Sequence, residues 1–168
     1  MLIFKVIYHC IAMIKKILLK IIYGRKVDIQ KGVTWRKGFS MMIGKTGKVS
    51  IGENCFFNNY CSINSLNNIY IGSNTIMGEN VKVYDHNHRF NIENTLISEQ
   101  GFSVGEVSIG ENCWIGSNVI ILKDAKIGNN CVIAAGSVIN DVIPDNSIVR
   151  NNIKIDIERI NFIKGNVE

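Results

Sequence analysis

The chain of 168 residues is long enough for one domain with a substantial core and leaves little for a second. Apolar residues make up 46%, charged residues 20%, and proline occurs once, a composition that excludes a disordered or stalk-like chain. The net charge of +5 is drawn from Lys and Arg concentrated over residues 5–48, without a long basic stripe carrying interleaved aromatics; this argues against nucleic acid and for phosphate-bearing small molecules or an anionic membrane.

Residues 1–24 read as an amphipathic helix. At 100° per residue Lys5, His9, Lys16 and Lys20 fall on one narrow arc, while Val6, Cys10, Met13, Ile14, Ile17 and Ile21 cover the opposite half. The ionisable residues interrupt the apolar run and no small-residue cleavage site follows, so neither a membrane span nor a cleaved leader is expected. Two fates remain open for this helix: packing on the protein's own body or a sister subunit, and docking on a membrane surface.

Residues 25–150 carry a six-residue rhythm. Ile51, Phe57 and Ile63, then Ile71 and Met77, then Ile109, Ile115, Ile121, Ile127, Ile133 and Ile139 are spaced six apart within each run. An α-helix requires 3.6 and a simple strand 2. The fifth place of most hexads is small, as in Cys55, Cys61, Thr75, Cys113, Ala125, Cys131 and Ser137, and several hexads pair Gly at the second place with Asn at the fourth, residue types that tolerate tight or left-handed turns. The fold expected is all-β: a parallel β-helix shaped as a triangular prism, with one strand and one corner per hexad, three hexads per coil, and the bulky first and small fifth residues filling the interior. Residues 27–48 form a degenerate first coil, with Val27, Val33 and Phe39 again six apart. The extra residues between Ile63 and Ile71 imply a wider corner.

Cys55, Cys61, Cys113 and Cys131 thereby become small interior groups rather than nucleophiles or metal ligands, and Cys10 belongs to the apolar side of the helix. An odd count of five, with no CxxC spacing, predicts reduced thiols and a cytoplasmic protein, at the inner face of the membrane if the helix docks there.

The rhythm stops after Val83 and resumes in phase at Ile109. The intervening loop, residues 84–106, holds His86 and His88, two of the three histidines of the chain, and a long excursion from an economical repeat is a natural place for chemistry. A zinc site would need His9, the third, and no metal is expected. Residues 151–168 form a short mixed tail.

The hexads together with this loop resemble the hexapeptide-repeat acyltransferases, left-handed β-helix proteins, in the branch of maltose, galactoside and polysaccharide O-acetyltransferases. The resemblance covers residues 40–150. It implies an acetyl-CoA-dependent enzyme, a homotrimer with sites at subunit boundaries, and His88 in Tyr84-Asp85-His86-Asn87-His88-Arg89 as general base, with His86 the other candidate. Asp85 is then available to orient a neighbouring imidazole. The resemblance further implies that Trp114 walls the site, that the backbone amide at Ser117 faces the reacting carbonyl, and that Ala134, Ala135 and Gly136 lie along the pantetheine arm. Asn58 matches an asparagine offered to the acceptor by a neighbouring subunit, Ser65 stands where the sugar branch has an acidic acceptor residue, and Tyr84 lies beside them. The chain departs from the family with Asn140-Asp141 in place of a Thr-Lys pair, leaving Arg150 and Lys154 to meet the CoA phosphates.

Acyl transfer from a thioester needs a base for the acceptor proton, a donor for the oxyanion, and alignment of both substrates. An interior position for the thiols favours direct transfer over an acyl-enzyme. The function expected is O-acetylation of a sugar in a surface polysaccharide or its precursor. The alternatives are N-acetylation of an amino sugar or antibiotic, and a non-catalytic scaffold.

Overall fold

The computed structural model describes residues 2–151, and the side chains of residues 8–151. The tail beyond residue 151, including Lys154, lies outside the described residues.

A helix, Leu2–Tyr23, leads into short strands that wind into a prism with three parallel sheets as its faces. The first face stacks Val27–Ile29, Lys48–Ile51, Asn68–Ile71, Glu106–Ile109, Lys126–Ile127 and Val142–Ile143. The second stacks Thr34–Trp35, Phe56–Phe57, Ile76–Met77, Trp114–Ile115, Val132–Ile133 and Ile148–Val149, and the third Ser40–Ile43, Ser62–Ser65, Lys82–Tyr84, Ile120–Ile121 and Val138–Ile139. Register holds each hexad position above its equivalent: Ile51 pairs with Ile71, Ile71 with Ile109, and Ile109 with Ile127. All eleven leading hexad residues from Ile51 to Ile139 are buried, as are Val27, Val33 and Phe39 of the first coil. The expected interior is therefore the observed one, and the four interior cysteines are among its buried residues.

The corners separate the roles of Asn and Gly. Asn54, Asn74, Asn80, Asn112, Asn118 and Asn130 all adopt left-handed backbone, with φ between 53° and 60°. This is the conformation that asparagine tolerates better than other non-glycine residues. Their side chains also bond coil to coil, Asn112 Nδ2 to Asn130 Oδ1 at 2.9 Å and Asn130 Nδ2 to Asn146 Oδ1 at 3.1 Å. The second-place glycines serve a different purpose from the turn expected of them. A Cβ on Gly110 would lie 2.6 Å from the carbonyl carbon of Gly128, so these positions permit close approach of stacked backbones.

The helix crosses the open end of the first coil. Along the faces backbone N–H groups donate from each coil to carbonyls of the following one, as Thr34 N to Cys55 O and Ser40 N to Cys61 O, so first-coil carbonyls on the faces have no preceding coil to pair with. Side chains supply the missing donors: Lys15 Nζ donates to Phe39 O, Lys20 Nζ to Val27 O at 3.0 Å, and Lys26 Nζ to Gly44 O at 3.1 Å. Lys15 and Lys16 also lie over the Phe39 and Trp35 rings, at 5.5 and 5.9 Å. The helix thus packs on the body through its lysine side, with Ala12 and Leu19 buried, and its apolar half faces outward.

Candidate active site

The inserted loop leaves the prism at the edge between the third and first faces. It is an antiparallel hairpin, His86–His88 against Phe102–Val104, with His86 opposite Val104 and His88 opposite Phe102. A short 3-10 turn, Ile97–Glu99, lies in the connection, and buried Gln100 ties it down by bonding Ile92 N through Oε1 and Thr95 O through Nε2.

Asp85 fixes the hairpin to the prism. Its side chain is fully buried in the wider corner at residues 65–67, where the Leu66 and Asn67 amides donate at 2.8 Å each and the Ser65 hydroxyl at 2.7 Å. The fourth partner is His86, with Nδ1 2.9 Å from Oδ1. Burial pushes the Asp85 carboxyl up, but the bonds from Leu66, Ser65, Asn67 and His86 outweigh it and hold the group below the usual carboxylate range. The carboxylate therefore stays ionised and fixes the orientation of the His86 ring through Nδ1. Asn67 also donates from Nδ2 to Gly105 O at 3.0 Å, closing the base of the loop.

The imidazoles differ in their setting. His86 is largely covered, edge-on to Tyr84 and Phe102 with ring centroids 6.3 and 5.3 Å away. His88 is exposed and leans on Phe102 at 4.5 Å. Phe102 and Gln100 were not anticipated from sequence; the alternation of His86, Asn87 and His88 against Phe102, Ser103 and Val104 is the signal that points to a hairpin there. Ser65 lies beside the loop with its hydroxyl buried between Lys48 O and Asp85, where it braces the carboxylate.

The remaining predicted residues gather elsewhere. Asn58, Ser117, Ala134, Ala135 and Gly136 line the edge between the second and third faces, and Arg150 follows the last second-face strand onto the same edge. Ser117 O accepts from Gly136 N at 2.9 Å, joining two of these stations, and Ser117 Oγ accepts from Glu79 N at 3.1 Å. Asn58 Oδ1 accepts from Asn59 N at 2.9 Å and faces Arg36. Ala135 and Gly136 are small and exposed and form the turn at this edge, Gly136 with a φ of 75°. Trp114, 56% exposed, projects from the second face in an outward column with Phe56, Ile76, Val132 and Ile148. Asn140 sits on the histidine edge, exposed.

Within one chain, then, the histidines and the small-residue stretch occupy different edges, separated by the third face. At ~3.3 Å per residue that face spans on the order of 15 Å. Among the described residues, no three His, Cys, Asp or Glu side chains form a group suited to a metal ion.

Residues 106–141 match the family model described as bacterial transferase hexapeptide, six repeats. The maltose O-acetyltransferase of Clostridium difficile 630 superposes with a TM-score of 0.55 at 30% identity, over 79% of this chain and 71% of that one. The chain belongs to the hexapeptide-repeat acyltransferase family. Another member of known structure, the hexapeptide-repeat-containing acetyltransferase of Vibrio cholerae complexed with acetyl-CoA, gives 0.59 at 27% identity over 70% of this chain and 64% of that one. The galactoside O-acetyltransferase of Escherichia coli K12 is 34% identical over 100 residues, 60% of this chain and 48% of that protein. The chain spans about half the length of the curated relatives it matches. Its prism has the left-handed parallel winding of the hexapeptide-repeat acyltransferases.

Proposed function

We propose that this hexapeptide-repeat protein transfers an acetyl group from acetyl-CoA to a hydroxyl of a sugar-like acceptor belonging to a surface polysaccharide or its precursor. The observation that carries the proposal is the Asp85-anchored hairpin, which presents two imidazoles at the one long break in the repeat. The acetyl-CoA bound by the Vibrio cholerae relative and the galactoside and maltose acceptors in the names of the other two support the substrate classes.

In this reading His88 is the general base. It removes the acceptor hydroxyl proton, the oxygen attacks the thioester carbonyl, and the Ser117 backbone amide faces the oxyanion. Collapse expels the CoA thiolate, which takes the proton back from the imidazolium, leaving an acetyl ester and CoA thiol. Burial keeps the Cys55, Cys61 and Cys113 thiols protonated, which favours direct transfer over a covalent intermediate on sulfur.

The edge arrangement supports a homotrimer. A base on one edge and a cofactor-sized track on another serve a single reaction when the histidine edge of one subunit meets the Ser117–Gly136 edge of its neighbour. The outward apolar column through Ile76 and Trp114 gives such an assembly apolar surface to bury. Asn58 and Tyr84 then face the acceptor from different subunits, and Arg150 and Asn140 lie toward the far end of the cofactor.

A second reading has one specific observation in its favour: the Asp85 to His86 bond is the carboxylate–imidazole pairing that orients a base. Thiol release from acetyl-CoA in the presence of a panel of sugars and amino sugars, measured for the His88→Ala and His86→Ala variants, separates the two. The base variant loses about 10²-fold or more in kcat with the assembly intact. Full activity in His88→Ala rejects the first reading. Acetylated product from an amino sugar alone would move the acceptor to nitrogen. Calorimetry that detects no acetyl-CoA binding would leave a scaffold.

A further inference from the structure

The N-terminal helix is oriented against the usual rule for a surface helix. Its lysine side is held to the prism by first-coil carbonyls, and Met13, Ile14, Ile17, Leu18, Ile21 and Ile22 stand outward, from 50% to 73% exposed. A continuous apolar stripe along a two-residue-wide helix face is a surface that water does not cover cheaply.

We propose that this face docks the protein on an anionic lipid surface, the helix lying in the headgroup plane with its apolar half inserted. Four observations converge on this occupant. The part of the chain that carries the stripe is strongly basic: residues 1–48 hold eleven Lys and Arg against one acid, Asp28, while the remaining 120 residues hold eight against thirteen. The basic side chains Arg25, Lys37 and Lys45 are exposed at the same end of the prism as the helix. Ile11 continues the apolar face into a cleft of about 480 Å³ shared with Arg36 and Lys37, where a headgroup phosphate meets cations beside an apolar wall. No helix among the described residues is long and apolar enough to cross a membrane, so insertion stops at the surface.

A second copy of the chain fits this face less well. Pairing two such helices face to face brings two basic prism ends together, a like-charge approach that an anionic lipid surface replaces with attraction. An apolar helix face plus a cluster of cations supplies the two signals that stable peripheral binding needs.

The test uses the full chain and vesicles of phosphatidylcholine alone or mixed equally with phosphatidylglycerol. Sedimentation with the mixed vesicles is expected to be at least about tenfold stronger than with phosphatidylcholine, and to weaken in high salt. The Ile14→Glu/Ile17→Glu/Ile21→Glu variant should lose binding, and Arg25→Glu/Lys37→Glu/Lys45→Glu should weaken it by about tenfold or more. Cys10, the exposed cysteine among the described residues, provides a readout in the native chain: an acrylodan label there should shift to the blue with mixed vesicles. No blue shift at saturating phosphatidylglycerol overturns the proposal even if the triple Glu variant fails to fold. So does a triple variant that lowers the solution mass while neither protein binds vesicles, which would assign the face to a second copy.

Discussion

Asp85 and His86 are consecutive in sequence and bonded in space, Oδ1 to Nδ1 at 2.9 Å, with one side chain wholly inside the prism and the other on the hairpin outside it. The pair is the joint between a rigid repeat and its inserted loop. Whatever moves Asp85 moves both imidazoles, since His86 and His88 share Phe102 as a common wall.

Removing the carboxylate therefore weakens the fold as well as the loop. Asp85→Ala leaves the Leu66 and Asn67 amides and the Ser65 hydroxyl short of a partner in a buried corner. The expected cost is about 3 kcal/mol, since hydrogen bonds to a charged group are worth more than neutral ones and orphaned buried donors add their own penalty. Calorimetric unfolding checks it, and Ser65→Ala, which removes one bond only, should cost about 1 kcal/mol.

The same carboxylate gives stability a sign with pH. Its folded-state pKa lies below the unfolded value near ~3.9. The stabilisation is thus fully present above that unfolded value and is lost as pH falls through the lower, folded one. Wild-type melting temperature should decline on acidification below about pH 4, and the decline should be shallower in Asp85→Asn.

Corner substitutions should separate close approach from backbone conformation. Gly110→Ala places a methyl group 2.6 Å from backbone of the next coil and should destabilise by about 1–3 kcal/mol. Asn112, at φ 53°, should accept Gly with a smaller loss than Val, because a branched side chain in left-handed backbone costs about 1–2 kcal/mol. Chemical denaturation of the three variants checks both.

Thiol chemistry should report the interior directly. Burial raises the Cys55, Cys61 and Cys113 thiols, Cys131 is also buried, and Cys10 is exposed. A disulfide reagent should titrate one thiol quickly in the native protein and five in denaturant. Rapid reaction of more than one in the native state would contradict the buried hexad positions.

Much of this was legible from residue order because a six-residue period admits few solutions: Ile109, Ile115 and Ile121 had to share an interior, and they do. Asn112 and its equivalents announced left-handed corners by residue type. Gly110 could not reveal its reason, since a tight turn and a close approach use the same residue. The histidine loop was visible as a break in rhythm, but the bond from Ser65 to Asp85 was not, because Asp85 lies one coil away. Which side of the helix faces the prism was hidden for a similar cause. Lys15 and Lys20 bond backbone carbonyls, and a periodicity of side chains carries no information about which carbonyls a first coil leaves unpaired.

The three-faced winding also makes position along the chain equivalent to angle around an axis. Six extra residues inserted after Asp124 would preserve inside and outside everywhere, yet rotate Ala134, Ala135 and Gly136 by one third of a circuit, onto the histidine edge. Eighteen would return them to their original azimuth one storey higher. A lineage of such proteins is free to grow or shrink by whole circuits, while single-hexad changes leave a sound prism with its two working edges out of step, a difference that circular dichroism would miss and cofactor affinity would detect.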